Sequence, residues 1–408
     1  MRRRKFLTAA SYATAGMLIP VGLNSCIART DAQTNMTNSK RLVFVLLRGG
    51  IDSLNVVIPH QESNYYQARP TIAVPYPQEK NGAIDLDGFF GLHPHLKDLM
   101  PLWKQKSLAF IHSSGSTVVE RSHFQAQDYI ENGTPGIKNT ANGWMNRLLA
   151  ELPRQRPTQA LNVGGTIPYI LKGKMPIASF RPGKNSVTPT YIDRPHINQA
   201  FSNLYSGTDK LSKAYQNGMK SREIVLAELK QEMMSASGEA KNVDAFVDDA
   251  GEVAKLMVSD AKTQLAFMDV GGWDTHINQN GIHDRLLTPL GEGLATLIKG
   301  LEPIYSDTII VVMSEFGRTV KENGNKGTDH GYGNVMWLLG GRVRGGQVYG
   351  DWKGLNQSDL HQNRDLPITT DFRDPLSLIL QQHLKVSSDS LNRVFPNYKS
   401  TNKINFLA

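Results

Sequence analysis

The chain contains a single cysteine, Cys26, so no intrachain disulfide can form. Beyond the N-terminal segment there is no run of about 18 apolar residues, which excludes a membrane-spanning helix from the mature part. No basic tract is interleaved with aromatics. The formal charge of +8 falls to +4 once Arg2, Arg3, Arg4 and Lys5 are set aside, so nothing points to nucleic acid as a partner. GxGxxG, GKS and GKT are all missing, which argues against a nucleotide loop. No internal repeat is visible. What remains is 408 residues, 40% hydrophobic and 20% charged, enough for one large α/β domain with insertions or for two domains.

Residues 1–32 read as an address rather than as structure. Arg3-Arg4-Lys5-Phe6-Leu7 ahead of the mildly apolar Ala9–Leu23 resembles a twin-arginine export signal. The alternative is an ordinary secretory signal with a basic start. Twin-arginine export carries folded proteins, which lets a metal be taken in the cytoplasm, where affinity order alone does not decide its identity. Leu23-Asn24-Ser25-Cys26 resembles a lipoprotein box with Cys26 as the lipidated residue; cleavage after Ala28 or Ala32 would instead release a soluble protein. The expected location is the periplasm or cell envelope. The twin-arginine translocase is the expected export partner, and the membrane is reached only through a lipid anchor. Asp31–Lys40 is polar and reads as a tether.

Leu42–Leu47, Ser107–Ile111, Ala160–Val163, Gln264–Val270, Thr308–Met313 and Val335–Leu339 are short, nearly continuous apolar runs. Such runs suit central parallel strands covered on both faces. Helical patterns fall at 92–103, 143–152, 284–304 and 376–384, and the polar stretch 195–260 reads as a helical insertion. Ile167–Phe180 suggests a small sheet. The expected fold is a three-layer α/β sandwich with a mainly parallel central sheet, spanning 41–402.

In such sheets the ligand site lies beyond the carboxyl ends of the strands. Asp52, Asp269, Asp274, His276, Glu315, Asp329 and His330 all fall at or near strand ends. Singly, each is weak evidence, since an Asp there is usually a cap and a lone His is usually structural. Asp274-x-His276 and Asp329-His330, however, each pair a carboxylate with an imidazole at a tight turn, a donor set that suits zinc, manganese or iron. Ser122 precedes a helix and has two readings: a simple cap, or a nucleophile whose anionic product is held by the helix start and a metal.

LRGGIDSLN, RSHFQAQDY, GGWDTH, SEFGRT and GTDHG together resemble the alkaline phosphatase superfamily. Within it they resemble the bacterial, mostly twin-arginine-exported family called domain of unknown function 1501, over nearly all of the mature chain. The resemblance implies a metal-dependent hydrolase of phosphate or sulfate esters, using divalent ions such as zinc, manganese, iron, calcium or magnesium. It implies metal ligands at Asp52, Asp274, His276, Glu315, Asp329 and His330, with Ser122 as nucleophile and a small anionic ester as substrate. Two departures stand out. His276 follows Asp274 by two residues rather than four, and Phe316 stands where an imidazole normally follows the carboxylate. Ser122-His123-Phe124-Gln125-Ala126 also lacks the Pro and Arg of a C/S-x-P-x-R sulfatase motif. A non-catalytic binding or assembly protein on the same scaffold is the competing expectation.

Overall fold

A computed structural model describes residues 39–138, 140–153, 157–164, 166–180, 195–220, 245–401 and 404–408. The export signal and Cys26 lie outside the described residues. The core is one large sheet built from β1 (Arg41–Leu47), β2 (Leu108–Gly115), β3 (Ala160–Val163), β4 (Ala178–Phe180), β5 (Leu265–Val270), β6 (Thr308–Ser314), β7 (Asn334–Gly340), β8 (Gln347–Tyr349) and β9 (Thr370–Asp371). Its order is β8-β2-β7-β6-β1-β5-β3-β4, with β9 also pairing β2.

The apolar runs form strands because both faces of the sheet are covered. Along β1, Val43, Val45 and Leu47 point into one core with Leu287, Leu290 and Leu294, while Leu42, Phe44 and Leu46 point into the other with Trp144, Leu148 and Leu376. Successive side chains in a strand face opposite ways, so neither set of positions is free to be polar. The covering helices are α1 (His123–Asn132), α2 (Trp144–Glu151), α3 (Ala245–Ser259), α4 (Gln279–Gly300) and α5 (Arg373–Leu378). The α/β three-layer architecture expected from the sequence is therefore present.

Two local expectations are corrected. Among the described pairings, β7 is the strand that runs antiparallel to its neighbours, β2 and β6, rather than parallel. The chain between β6 and β7 stays at one edge of the sheet without a crossover helix, and a strand entered that way must run back. Instead of a small sheet of its own, the described part of 167–180 supplies one strand: β4 pairs parallel with β3 and extends the main sheet. Within 195–260, Pro195–Leu204 and residues 210–220 are helical and largely exposed, whereas α3 packs against α4 with Phe246, Ala250, Val253 and Ala254 buried. Residues 221–244 lie outside the described residues. No helix among the described residues is long and apolar enough to cross a membrane.

One carboxyl on α3 is set against its surroundings. Burial, with Asp248 and Asp269 close by, pushes Asp249 up to about 7. A carboxyl raised in the folded state destabilises as pH climbs from the ordinary carboxylate range through 7. Asp249→Asn should therefore melt above the wild type at pH 8, with the gap closing toward pH 4. Equal melting temperatures at pH 8 would contradict the assignment.

Candidate metal centre

The carboxyl ends of β1, β2, β5 and β6 and the start of β7 meet at one edge of the sheet. After β1 the chain passes through Gly49 and Gly50, both in the left-handed region with φ of 121° and 66°. A Cβ at Gly49 would lie 2.7 Å from the backbone nitrogen of Asp274, so glycine lets this turn pass against the loop after β5. Gly49→Ala should cost about 1–3 kcal/mol in a denaturant titration through strain at positive φ. It should also weaken metal binding by displacing Asp274; an unchanged midpoint would argue against this close approach.

Four side chains converge beyond these turns. The Oδ1 atom of Asp274 lies 3.0 Å from His276 Nε2, 3.1 Å from His330 Nε2 and 3.3 Å from His123 Nε2. His276 Nε2 and His330 Nε2 are 2.9 Å apart. The donor atoms of His123, Asp274 and His330 all lie within 4.8 Å of one another.

The opposite nitrogen of each ring has a partner that fixes its tautomer. His330 Nδ1 donates to the carbonyl of Arg121 at 2.7 Å, which can only accept. His123 Nδ1 donates to Glu315 Oε1 at 2.8 Å, and His276 Nδ1 to Asp329 Oδ1 at 3.1 Å. These proton positions follow from the hydrogen-bond network. In the neutral rings all three Nε2 atoms therefore carry bare lone pairs, and the lone pairs face each other and an anionic oxygen. His123 Nε2 is buried without a hydrogen-bond partner among the described residues. Arg318 Nη2 already donates to the same Asp274 oxygen at 2.6 Å, so the repulsion that remains lies among the imidazole nitrogens, and a metal ion or a proton among them relieves it.

The residues fit a metal ion. Neighbouring ligand atoms around a tetrahedral ion with bonds near 2.0–2.1 Å are spaced roughly 3.3–3.4 Å, close to the 2.9–3.3 Å of these contacts. Imidazoles oriented through their second nitrogen by carboxylate or carbonyl are the usual support of such a site.

Electrostatics agree. Burial works to raise the Asp274 pKa, but the Arg318 hydrogen bond and charge, with His330 and His276, bring it down to about 2. Arg318 is fully buried and donates to Asp274 at 2.6 Å, to the carbonyls of Gly50, Trp273 and Thr328 at 2.6, 3.0 and 3.1 Å, and to that of Gly49 at 2.5 Å. Glu315 is held low despite its burial by His123 and Gln127, while its hydrogen bond raises His123 in turn. Burial lowers His330.

Of the residues expected from the sequence, the structure thus brings together Asp274, His276 and His330. Asp329 and Glu315 sit behind His276 and His123 as their hydrogen-bond partners rather than among the converging atoms. Asp52 is not brought to the cluster: it is buried and bonded to Arg69 and Gln279. Asp269 pairs with Arg48 at 2.6 Å.

His123 is the residue the sequence reading missed. The imidazole absent at Phe316 enters from the start of α1 instead, and the Phe316 ring packs 4.8 Å from that of His123 and 4.9 Å from that of His330. Its only signal was adjacency to Ser122. Ser122 is the exposed N-cap of α1, and its hydroxyl makes no capping bond. Glu120 Oε1 accepts the backbone N–H groups of both Arg121 and Ser122 at 2.9 Å, which places a carboxylate just ahead of the helix start.

The family model described as "Protein of unknown function (DUF1501)" matches residues 39–395. No curated protein matches the chain. Among solved structures it is similar to the C-terminal periplasmic domain of EcEptC from Escherichia coli, at 12% identity over 94% of this chain and 92% of that one, with a TM-score of 0.38. It is also similar to the lipoteichoic acid synthase LtaP from Listeria monocytogenes, at 10% identity over 89% and 80% of the two chains and a TM-score of 0.36. A protein in the alkaline phosphatase superfamily from Vibrio parahaemolyticus matches at 12% identity over 86% and 71%, with a TM-score of 0.32.

Proposed function

The chain belongs to the DUF1501 family, and from that premise we propose that it is an exported, metal-dependent hydrolase of phosphate or related anionic esters. The observation that carries the reading is the convergence of three bare imidazole nitrogens on the Asp274 carboxylate. His123, Asp274, His276 and His330 would hold the ion. Three nitrogens and one oxygen favour zinc, manganese or iron over calcium or magnesium, which take oxygen ligands. When bound, the ion supplies positive charge to ester oxygens and lowers the pKa of water.

The chain's own groups do the rest. Glu315, Asp329 and the Arg121 carbonyl keep the three Nδ1 protons in place. Arg318 keeps Asp274 ionised. Ser122, exposed and one residue from His123, is the candidate nucleophile. Export by the twin-arginine route, with or without lipid at Cys26, belongs to the same proposal.

A non-catalytic binding role has one observation in its favour, the Glu120 carboxylate held on the backbone of Arg121 and Ser122, a negative charge beside the candidate nucleophile. Metal content of the exported protein and hydrolysis of generic aryl phosphates and sulfates separate the two readings. The hydrolase reading expects bound metal and turnover. It also expects turnover to fall to background in Ser122→Ala while metal stays bound. A metal-replete protein without turnover would favour the binding role, and turnover surviving in Ser122→Ala would remove the serine nucleophile.

A further inference from the structure

We infer that the site takes one divalent ion per chain, because Asp52, the acid outside the cluster that the sequence offered as a ligand, is closed off by Arg69. The inference rests on the cation-site reading above. Asp52 follows the first strand, and every acceptor position of its carboxylate is taken. Its Oδ2 accepts from Arg69 Nη1 at 2.5 Å and from Gln279 Nε2 at 2.6 Å. Its Oδ1 accepts from Arg69 Nη2 at 3.0 Å and from the Leu54 N–H at 3.2 Å. A carboxylate offers about four lone-pair sites, and none is left for a metal.

The guanidinium is equally saturated. Besides its two bonds to Asp52, Arg69 donates from Nη1 to Asn55 Oδ1 at 2.6 Å, from Nη2 to the Thr319 carbonyl at 3.0 Å and from Nε to the Val320 carbonyl at 2.8 Å. All five N–H groups are used. Asp52 and Arg69 are 1% and 0% exposed. An incoming ion would have to strip this closed network in the protein interior, and a buried guanidinium without its carboxylate is costly.

The pair still serves the metal centre, at a distance. Gln279, bonded to Asp52, accepts through Oε1 from the hydroxyls of Thr275 and Thr328 at 2.9 and 2.6 Å. Those threonines stand between Asp274 and His276 and before Asp329-His330. Asp52, Arg69 and Gln279 are therefore positioning residues that hold two ligand-bearing loops without touching the ion.

The test is zinc stoichiometry on the full exported chain, by elemental analysis after equilibrium dialysis against zinc, read beside Asp52→Asn and Asp274→Asn. The expected result is one zinc per wild-type chain, one in Asp52→Asn at saturating zinc but with weaker affinity because the two loops lose their tie, and none in Asp274→Asn. Two per wild-type chain, falling to one in Asp52→Asn, would overturn the one-ion inference and leave the cation site standing. No zinc in the wild type would overturn the cation site itself. Should Asp52→Asn fail to fold, the wild-type count alone still decides between one and two.

Discussion

Asp274→Asn should strip the protein of its divalent ion. The substitution removes the anionic oxygen on which three imidazole nitrogens converge, at 3.0, 3.1 and 3.3 Å. It replaces that oxygen with an amide that brings no charge. Loss of a hydrogen-bond partner behind a metal-binding histidine costs about 10–100-fold in metal affinity. That is the range expected for Glu315→Gln and Asp329→Asn. Asp274 contacts the donors directly and should exceed it, falling at least about 100-fold in competition against a chromophoric chelator. Folding should survive, because Arg318 keeps its four carbonyl partners. An affinity unchanged in Asp274→Asn, or one that falls more in Asp329→Asn, would place the ion elsewhere.

Arg69→Ala should produce the largest loss of stability. It leaves Asp52 buried without its guanidinium, with only Gln279 and one backbone N–H for company. Breaking a buried ion pair from one side costs about 3–5 kcal/mol. Burial works to raise the Asp52 pKa, and Arg69 is what holds it below its ordinary value. In the wild type that contribution is present above the ordinary carboxylate range and is lost as pH falls through the depressed folded value. In Arg69→Ala the sign reverses, since the unpaired carboxyl resists ionisation. The deficit measured by urea titration should therefore be largest near neutral pH and shrink toward pH 4. Adding Asp52→Asn should restore part of the lost stability at pH 7. A deficit independent of pH, with no rescue, would mean that lost packing and not charge is responsible.

The cation cluster was partly legible in the chain. Asp274-x-His276 and Asp329-His330 are local pairs at tight turns after and before core strands, so their spacing carried most of the signal. His123 is different. Its meaning depends on Glu315, 192 residues away, which takes one ring nitrogen and leaves the other bare. Glu315 was legible as a strand-end carboxylate, but which atom it bonds is not a property of its sequence neighbourhood. Asp52 has the right position after the first strand and a different role, because the guanidinium that neutralises it comes from the loop after Ser63–Ala68.

By itself, then, the sequence determined the layered α/β core. Runs such as Leu42–Leu47 and Thr308–Met313 have no polar side to give to water, and only a sheet covered on both faces buries them. It also placed the carboxylates and imidazoles at or near the ends of those strands. The tertiary structure alone decided the direction of β7, the entry of His123 in the place vacated at Phe316, and the withdrawal of Asp52 into a bond with Arg69. The physical reason is common to all three. Apolar periodicity is read over neighbouring residues, whereas the choice among hydrogen-bond partners depends on which distant groups the folded chain brings within about 3 Å.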